Sequence, residues 1–224
     1  MLSADGRILE FAELASAGRM NETMAPAVAS MLGRHSDALA AVACVRGPGS
    51  FTGVRLGLAF ATGLCLARQI PLAGLDYLPL LAASAPQRFD EVHVVTHSRA
   101  NKVYHQAFGP AAALTKPRDA TLREALDIIA ARAGKSRVAL LGSGLRRNPE
   151  AFADIPGATL LAIENPAPEA LAAAARTARF EGPPVEALYL RGSDAEENLA
   201  AIAKGRGLTE AEARARMDRA LRWG

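Results

Sequence analysis

At 224 residues, half of them apolar and with a formal net charge of only +3, the chain is long enough to bury a substantial core as one domain or two small lobes. That charge is too small to mark a nucleic-acid binder, and no apolar run approaches the roughly 20 residues that span a bilayer. Residues 1–6 lack the basic and apolar regions of a secretory signal. Cys44 and Cys65, two thiols in strand-like and helix-like runs, suit a reducing cytosol better than a disulfide framework. The expectation is a globular, cytoplasmic protein with no membrane segment. Aromatic residues are scarce and no basic run is interleaved with them, which gives little support to a stacking platform for single-stranded RNA.

In chain order, residues 7–15 read as a short strand after the Asp5-Gly6 turn. Asn21 reads as the N-cap of a helix running to Gly33, with Met24, Val28, Met31 and Leu32 on one face and Ala25 and Ala29 on a smooth neighbouring face. Residues 41–45 form a strand pattern that runs into Arg46-Gly47-Pro48-Gly49-Ser50-Phe51-Thr52-Gly53. A helix over 53–68 follows and is apolar almost all round. It carries two small-residue stripes at spacing four: Gly53, Gly57, Ala61, Cys65, and Ala59, Gly63, Ala67. Glycine costs roughly 1 kcal/mol inside a helix relative to alanine. So many small residues therefore imply close packing, of one stripe on a sheet and of the other on a second subunit.

Residues 70–75 read as the next strand, and Pro79 with Pro86 breaks the chain up to a boundary near residue 90. Strands follow at 91–96 and 103–108, joined by a turn at 97–102. Thr121 and Glu124 make a capping-box pair opening a helix that ends at Gly134. A strand at 138–141, an alanine-rich helix at 167–178 and a strand at 185–190 complete this part. Two tail helices are expected, opened by Ser193 with Glu196 and by Thr209 with Glu212, the second decorated by Arg214, Arg216, Arg219 and Arg222. The division is 1–90, 91–192 and a helical extension over 193–224.

Strand, glycine loop and helix together are how a backbone holds an anion, which makes Gly47, Gly49, Ser50 and Thr52 a candidate nucleotide or anion loop. A tight turn before a buried helix explains the same residues. No Gly-Lys-Ser/Thr follows, so the loop is not a Walker A. It does fit a looser G-x-G-x-x-x-G pattern through Gly53, with Asp76 roughly where a ribose-binding acid would stand in a dinucleotide fold. Pro48 between the glycines, and a place after a second strand, count against a nucleotide-dependent enzyme of that type. His93, His97 and His105 fall on a hairpin without ligand spacing, so no metal site is expected. Ser50 and Ser143 lack a G-x-S-x-G context, and no catalytic constellation emerges.

Gly47-Pro48-Gly49-Ser50-Phe51-Thr52-Gly53-x-Arg55-x-Gly57 resembles the signature of the TsaB (YeaZ) family, the non-catalytic paralogues of the threonylcarbamoyl transferase TsaD within the glycoprotease-like proteins. Glu22 and Pro26, Arg99 with Val103-Tyr104, and Leu188-Tyr189-Leu190-Arg191 are similar to further family segments, so that the resemblance covers roughly residues 8–192. It implies an α/β, two-lobed actin-like (ASKHA, ribonuclease-H-like) fold. It also implies a non-catalytic scaffold or activator subunit for forming N6-threonylcarbamoyladenosine next to the tRNA anticodon. The partners implied are TsaD, as a heterodimer through the first two helices, and the ATPase TsaE, with tRNA met only through the complex. A homodimer of the free chain is compatible with this. No cofactor is expected in the isolated chain, and ATP or ADP is compatible with the complex interface. On this resemblance the partner-binding residues are Met24, Val28, Met31, Gly53, Arg55, Gly57, Phe60 and Ala61.

Three departures accompany the resemblance. The usual opening strand of the N-lobe is lacking, which predicts a start placed too far downstream or a lost strand. Met20-Asn21 stand where the family has His-Ser, and His97 replaces an Asp.

Overall fold

The computed structural model describes residues 1–14, 18–35, 39–191, 203–205 and 207–221. The chain divides into two compact units, Met1–Leu188 and Tyr189–Gly224. In the first, helix α1 (Met20–His35) precedes strand β1 (Val42–Gly47), helix α2 (Phe51–Arg68) and strand β2 (Leu72–Asp76). β1 and β2 are parallel, with Val42 beside Leu72 and Cys44 beside Gly74. The glycine loop is thus the first turn of a strand–helix–strand crossover. α2 begins two residues earlier than its apolar pattern suggested, because the Ser50 side chain accepts from the Gly53 amide and caps the first turn.

The second sheet has five strands in the order β5-β4-β3-β6-β7, built from β3 (Glu91–Arg99), β4 (Lys102–Phe108), β5 (Arg118–Thr121), β6 (Val138–Leu141) and β7 (Ala158–Leu160). β3, β4 and β5 run antiparallel, whereas β6 and β7 lie parallel to β3 on its other side. Helices α3 (Tyr77–Ala82), α4 (Leu122–Ala133), α5 (Ser143–Arg147), α6 (Pro149–Phe152) and α7 (Pro168–Thr177) complete this unit. Val95, Val103 and Leu140 of the sheet pack against Ile129 of α4 and Phe152 of α6 in one apolar core. A smaller core joins Ala61 and Cys65 of α2 to Leu72, with Val42, Cys44 and Val185 around them. The result is the mixed α/β architecture expected from the sequence, with helices covering two sheets.

The structure differs from the sequence pattern in five places. Helix α1 starts at Met20, so Asn21 lies within it rather than capping it. Residues 7–14 form no ladder: Ile8 makes one bridge to Leu2, while Leu9, Phe11 and Leu14 are exposed. Pro79 does not break the chain but sits in the first turn of α3, where a missing amide costs nothing. Residues 185–190 form no strand, although Leu188 donates its amide to the Arg46 carbonyl at 2.7 Å. β5 and β7, short and half-exposed, were not anticipated.

In the second unit, helix α8 (Glu210–Leu221) has its expected cap, with the Thr209 amide and hydroxyl both donating to Glu212 at 2.8 Å. Ala203, Leu208 and Ala213 form its small apolar centre. The predicted Ser193–Glu196 cap and Arg222 lie outside the described residues.

The Thr121–Glu124 capping box of α4 is complete in both directions. Replacing Thr121→Ala removes one reciprocal bond and should lower unfolding free energy by about 1 kcal/mol in urea titrations. An unchanged midpoint would show that the α4 start is held by packing alone.

Candidate functional site

The loop between β1 and α2 is shaped from both ends. Gly47 has φ 119°, and a Cβ there would stand 2.6 Å from the Leu188 carbonyl, so glycine alone fits both the backbone and the space. Arg46, just before it, donates Nε to Asp76 Oδ1 at 2.6 Å and so ties the end of β1 to the end of β2. Asp76, the acid that a dinucleotide fold would present to a ribose, is thus engaged by an arginine. The Ser50 hydroxyl accepts the Gly53 amide at 3.3 Å. Thr52 is exposed one residue into the helix.

Below the loop, α1, β1 and α2 enclose a cleft of about 600 Å³. Met20, Met24 and Val28 line it from α1, Val42 to Val45 from β1, and Gly53, Gly57, Phe60, Ala61 and Leu64 from α2. Its polar end holds Gly49, Ser50, Tyr77, Thr96, His97 and Ser143. Of the expected partner-facing residues, Met24, Val28, Gly53, Gly57, Phe60 and Ala61 therefore share one cavity, together with Gly49 and Ser50 of the loop. Met31 lies half-buried further along α1, and Arg55 lies on the exposed side of α2, its guanidinium 4.0 Å from the Phe51 ring centroid. Gly47 and Thr52 do not line the cavity.

The two stripes of α2 have opposite fates. A Cβ on Gly57 would lie 3.5 Å from Met20 Cε and 3.9 Å from Cys44 Sγ, while Ala61 and Cys65 are buried. That stripe packs inward. On the other, Ala59, Gly63 and Ala67 are exposed, and Gly63 has nothing within 4 Å of where its Cβ would be. Leu66 beside them is 63% exposed. Ala25, Pro26, Ala29 and Gly33 form a comparable smooth exposed strip on α1.

The polar end carries groups that the sequence did not single out as a site. Thr96 Oγ1 and His97 Nδ1 are buried there without hydrogen-bond partners, as is Ser98 Oγ, which follows on β3 but does not line the cleft, and the His97 amide donates to Ser143 Oγ at 3.1 Å. The visible signal was Gly142-Ser143-Gly144. A side chain on either glycine would run into Val95, which lets α5 start directly against β3. Burial, with Arg147 nearby, lowers the His97 pKa and favours its neutral form. The thiols are poor nucleophiles: burial and the neighbouring Cys65 push Cys44 up to about 11, and burial raises Cys65. Among the described residues no three His, Cys, Asp or Glu side chains converge as metal ligands, and no helix is long and apolar enough to cross a membrane.

The family model for TsaD, tRNA N6-adenosine threonylcarbamoyltransferase, matches residues 13–148, more than half of the chain. The chain belongs to this glycoprotease-like family, among its TsaB/YeaZ proteins. It is 39% identical over 66 residues to the tRNA threonylcarbamoyladenosine biosynthesis protein TsaB of Escherichia coli (strain K12), a match covering 29% of each chain. The same identity over 66 residues relates it to TsaB of Haemophilus influenzae, covering 29% of this chain and 28% of that one. The matches thus span less than a third of the length of these curated relatives. Among solved structures, YeaZ from Pseudomonas aeruginosa is 26% identical with a TM-score of 0.57, over 75% of this chain and 83% of that one. An uncharacterized protein with similarity to peptidase YEAZ, also from Pseudomonas aeruginosa, is 25% identical with a TM-score of 0.58 over 76% and 83%. The family match and these neighbours fit an actin-like fold.

In this TsaB/YeaZ-type chain the loop motif is a structural device first. Gly47→Ala should lower stability by about 2 kcal/mol or more in urea unfolding, because it combines a left-handed backbone with a carbonyl clash. Gly49→Ala, whose Cβ would meet only Val54 Cγ2 at 3.4 Å, should stay within about 1 kcal/mol of the parent. Equal losses for the two would remove the special role of Gly47.

Proposed function

We propose that the chain is a non-catalytic scaffold and activator subunit in the formation of N6-threonylcarbamoyladenosine in tRNA, acting by pairing with a TsaD-type transferase. The observation that carries this reading is a smooth exposed strip on each of α1 and α2: Ala25, Ala29 and Gly33 on one helix, Ala59, Gly63 and Leu66 on the other. Small side chains let a partner helix approach closely, and Leu66 offers it an apolar knob. The names of the curated relatives supply the pathway, and the family model supplies the kind of partner.

In this reading the two sheets are the centres of the two lobes of the actin-like fold, and the chain works in the cytoplasm. The catalytic step, in this reading, belongs to the partner. The inward cleft, with Met24, Val28, Gly57 and Phe60, shapes and supports the two docking helices from behind. TsaE joins the pair, tRNA is met through the complex, and ATP or ADP binds at the interface rather than to the isolated chain. A dinucleotide-dependent enzyme is a weaker reading, because Asp76 is held by Arg46.

The decisive experiment is reconstitution with TsaD, TsaE, the threonylcarbamoyl-adenylate synthase, unmodified tRNA, ATP, threonine and bicarbonate, with the modified nucleoside read by mass spectrometry. Product should form only when this chain is present; product without it would overturn the proposal. Gly63→Leu should weaken pairing with TsaD by about tenfold or more, equivalent to about 1.4 kcal/mol, while its own melting temperature stays level or rises with helix propensity. Gly57→Leu should instead lower the melting temperature, since the new side chain meets Met20 and Cys44. Undiminished co-elution of the Gly63→Leu chain with TsaD would rule out this docking face.

A further inference from the structure

Two imidazoles lie in the core of the five-stranded sheet, far from the loop and the docking helices in sequence and unused by the function above. His93 on β3 and His105 on β4 are fully buried, with His93 Nδ1 3.0 Å from His105 Nε2 and ring centroids 5.2 Å apart. The register sets Val95 opposite His105 and Ala107 opposite His93, so the rings meet diagonally on the face shared with Val95 and Val103. Helix α4 packs on that face through Ala125, Ile129 and Ala133. His93 Nε2 stands 3.4 Å from Glu91 Oε2, and Glu91 also accepts from Arg132 Nε of α4 and from Ser136 Oγ at 3.2 Å. At the other end, His105 Nδ1 is buried without a partner.

Donor and acceptor arithmetic gives this chain one direction. Arg132 holds the Glu91 pKa below the usual carboxylate range, so Glu91 is an acceptor only and His93 Nε2 must carry the proton it receives. His93 Nδ1 is then a bare lone pair and accepts from His105 Nε2–H. His105 Nδ1 is left as the bare nitrogen with no neighbour, the less costly end to leave open because no N–H is stranded there. An added proton has no good place. On His105 Nδ1 it makes a buried cation without an acceptor; on His93 Nδ1 it sets two N–H groups against each other. The charged groups around the pair are Glu91, Arg132 and Arg118, the last directly opposite His105 on β5 and repelling a second positive charge. Leu140, opposite His93 on β6, and the α4 residues on this face are apolar.

We propose that Arg132, Glu91, His93 and His105 form an acid-sensitive latch that holds α4 to the five-stranded sheet and is complete only while both imidazoles are neutral. Burial lowers the pKa of both histidines, with the neighbouring His93 adding to the effect at His105. The unfolded chain, with histidines near their ordinary pKa of about 6.5, therefore binds more protons than the folded one. The contribution is present above that value and is lost as pH falls through it toward the depressed folded pKa values.

Nitrogen-15 NMR of the whole chain at pH 7 should show both rings neutral with the proton on Nε2; a cation or an Nδ1–H ring at either position overturns the assignment. From pH 6.5 to 5, the slope of unfolding free energy against pH should correspond to about one proton fewer taken up in His93→Gln or His105→Phe than in the parent. His93→Gln keeps one donor and one acceptor and carries this test if His105→Phe does not fold. Slopes equal to the parent's in the folded variants would refute the latch. Over the same range, rate-corrected hydrogen exchange should show β3, β4 and α4 losing protection before β1 and α2. Loss at the same pH everywhere would mean that the pair does not act as a latch.

Discussion

The closeness with which α2 lies on β1 sets the geometry of everything near the loop. Gly57, Ala61 and Cys65 form the stripe turned inward: a Cβ on Gly57 would be in ordinary contact with Met20 Cε and Cys44 Sγ, while Ala61 and Cys65 pack into the small core with Leu72. A parallel crossover normally buries both faces of its strands, and here α2 seals one of them. With the inward stripe fixed, rotation about the helix axis is fixed too, and so is the set of residues that face outward. Ala59, Gly63 and Leu66 are exposed because Gly57, Ala61 and Cys65 are not.

Charge is used sparingly and mostly to align ends. Arg46 with Asp76 joins the tips of β1 and β2, Lys102 with Asp119 joins β4 to β5, and Arg137 with Asp90 braces the start of β3. The solvent-exposed pairs among them contribute little energy each, and Lys102 reaches an Asp119 whose side chain is itself buried; their value is in fixing register and loop position. Stability comes instead from apolar cores around Leu72 and around Val95, Ile129 and Phe152. Against that background the unpartnered polar atoms of Thr96, His97 and Ser98 stand out, gathered where β3 ends beside Ser143.

Local signals in the sequence were reliable where one residue type has one physical use. Thr121 with Glu124 and Thr209 with Glu212 marked helix starts that the structure reproduces hydrogen bond by hydrogen bond. Of the two small-residue stripes of α2 one packs inward and the other is exposed, and spacing alone did not say which stripe faced the sheet. The partner residues expected from resemblance, Gly57 and Ala61 among them, lie on the cavity side. Two local signals failed, Asn21 as a cap and Pro79 as a breaker; the other failures were non-local. Residues 185–190 carry the apolar run of a strand, yet only scattered backbone bonds such as that from Leu188 to Arg46 tie this segment to β1. β7 is three residues long and is recognisable only through its pairing with β6. The sequence puts His93, His97 and His105 on a hairpin but does not pair two of them, because a diagonal contact across a hairpin has no fixed spacing in sequence.

The contact between Leu188 and the loop has a consequence for synthesis. Arg46 and Gly47 emerge from the ribosome long before Leu188, which supplies both the amide that meets the Arg46 carbonyl and the carbonyl that sits against Gly47. Contacts of such sequence separation close late, after the entropy of a long loop has been overcome. The nascent protein can therefore assemble the crossover of β1, α2 and β2 while the turn that caps it is still unclamped. The signature loop reaches its final shape only when almost the whole first unit has left the exit tunnel, which makes the most recognisable segment of the sequence one of the last to be finished.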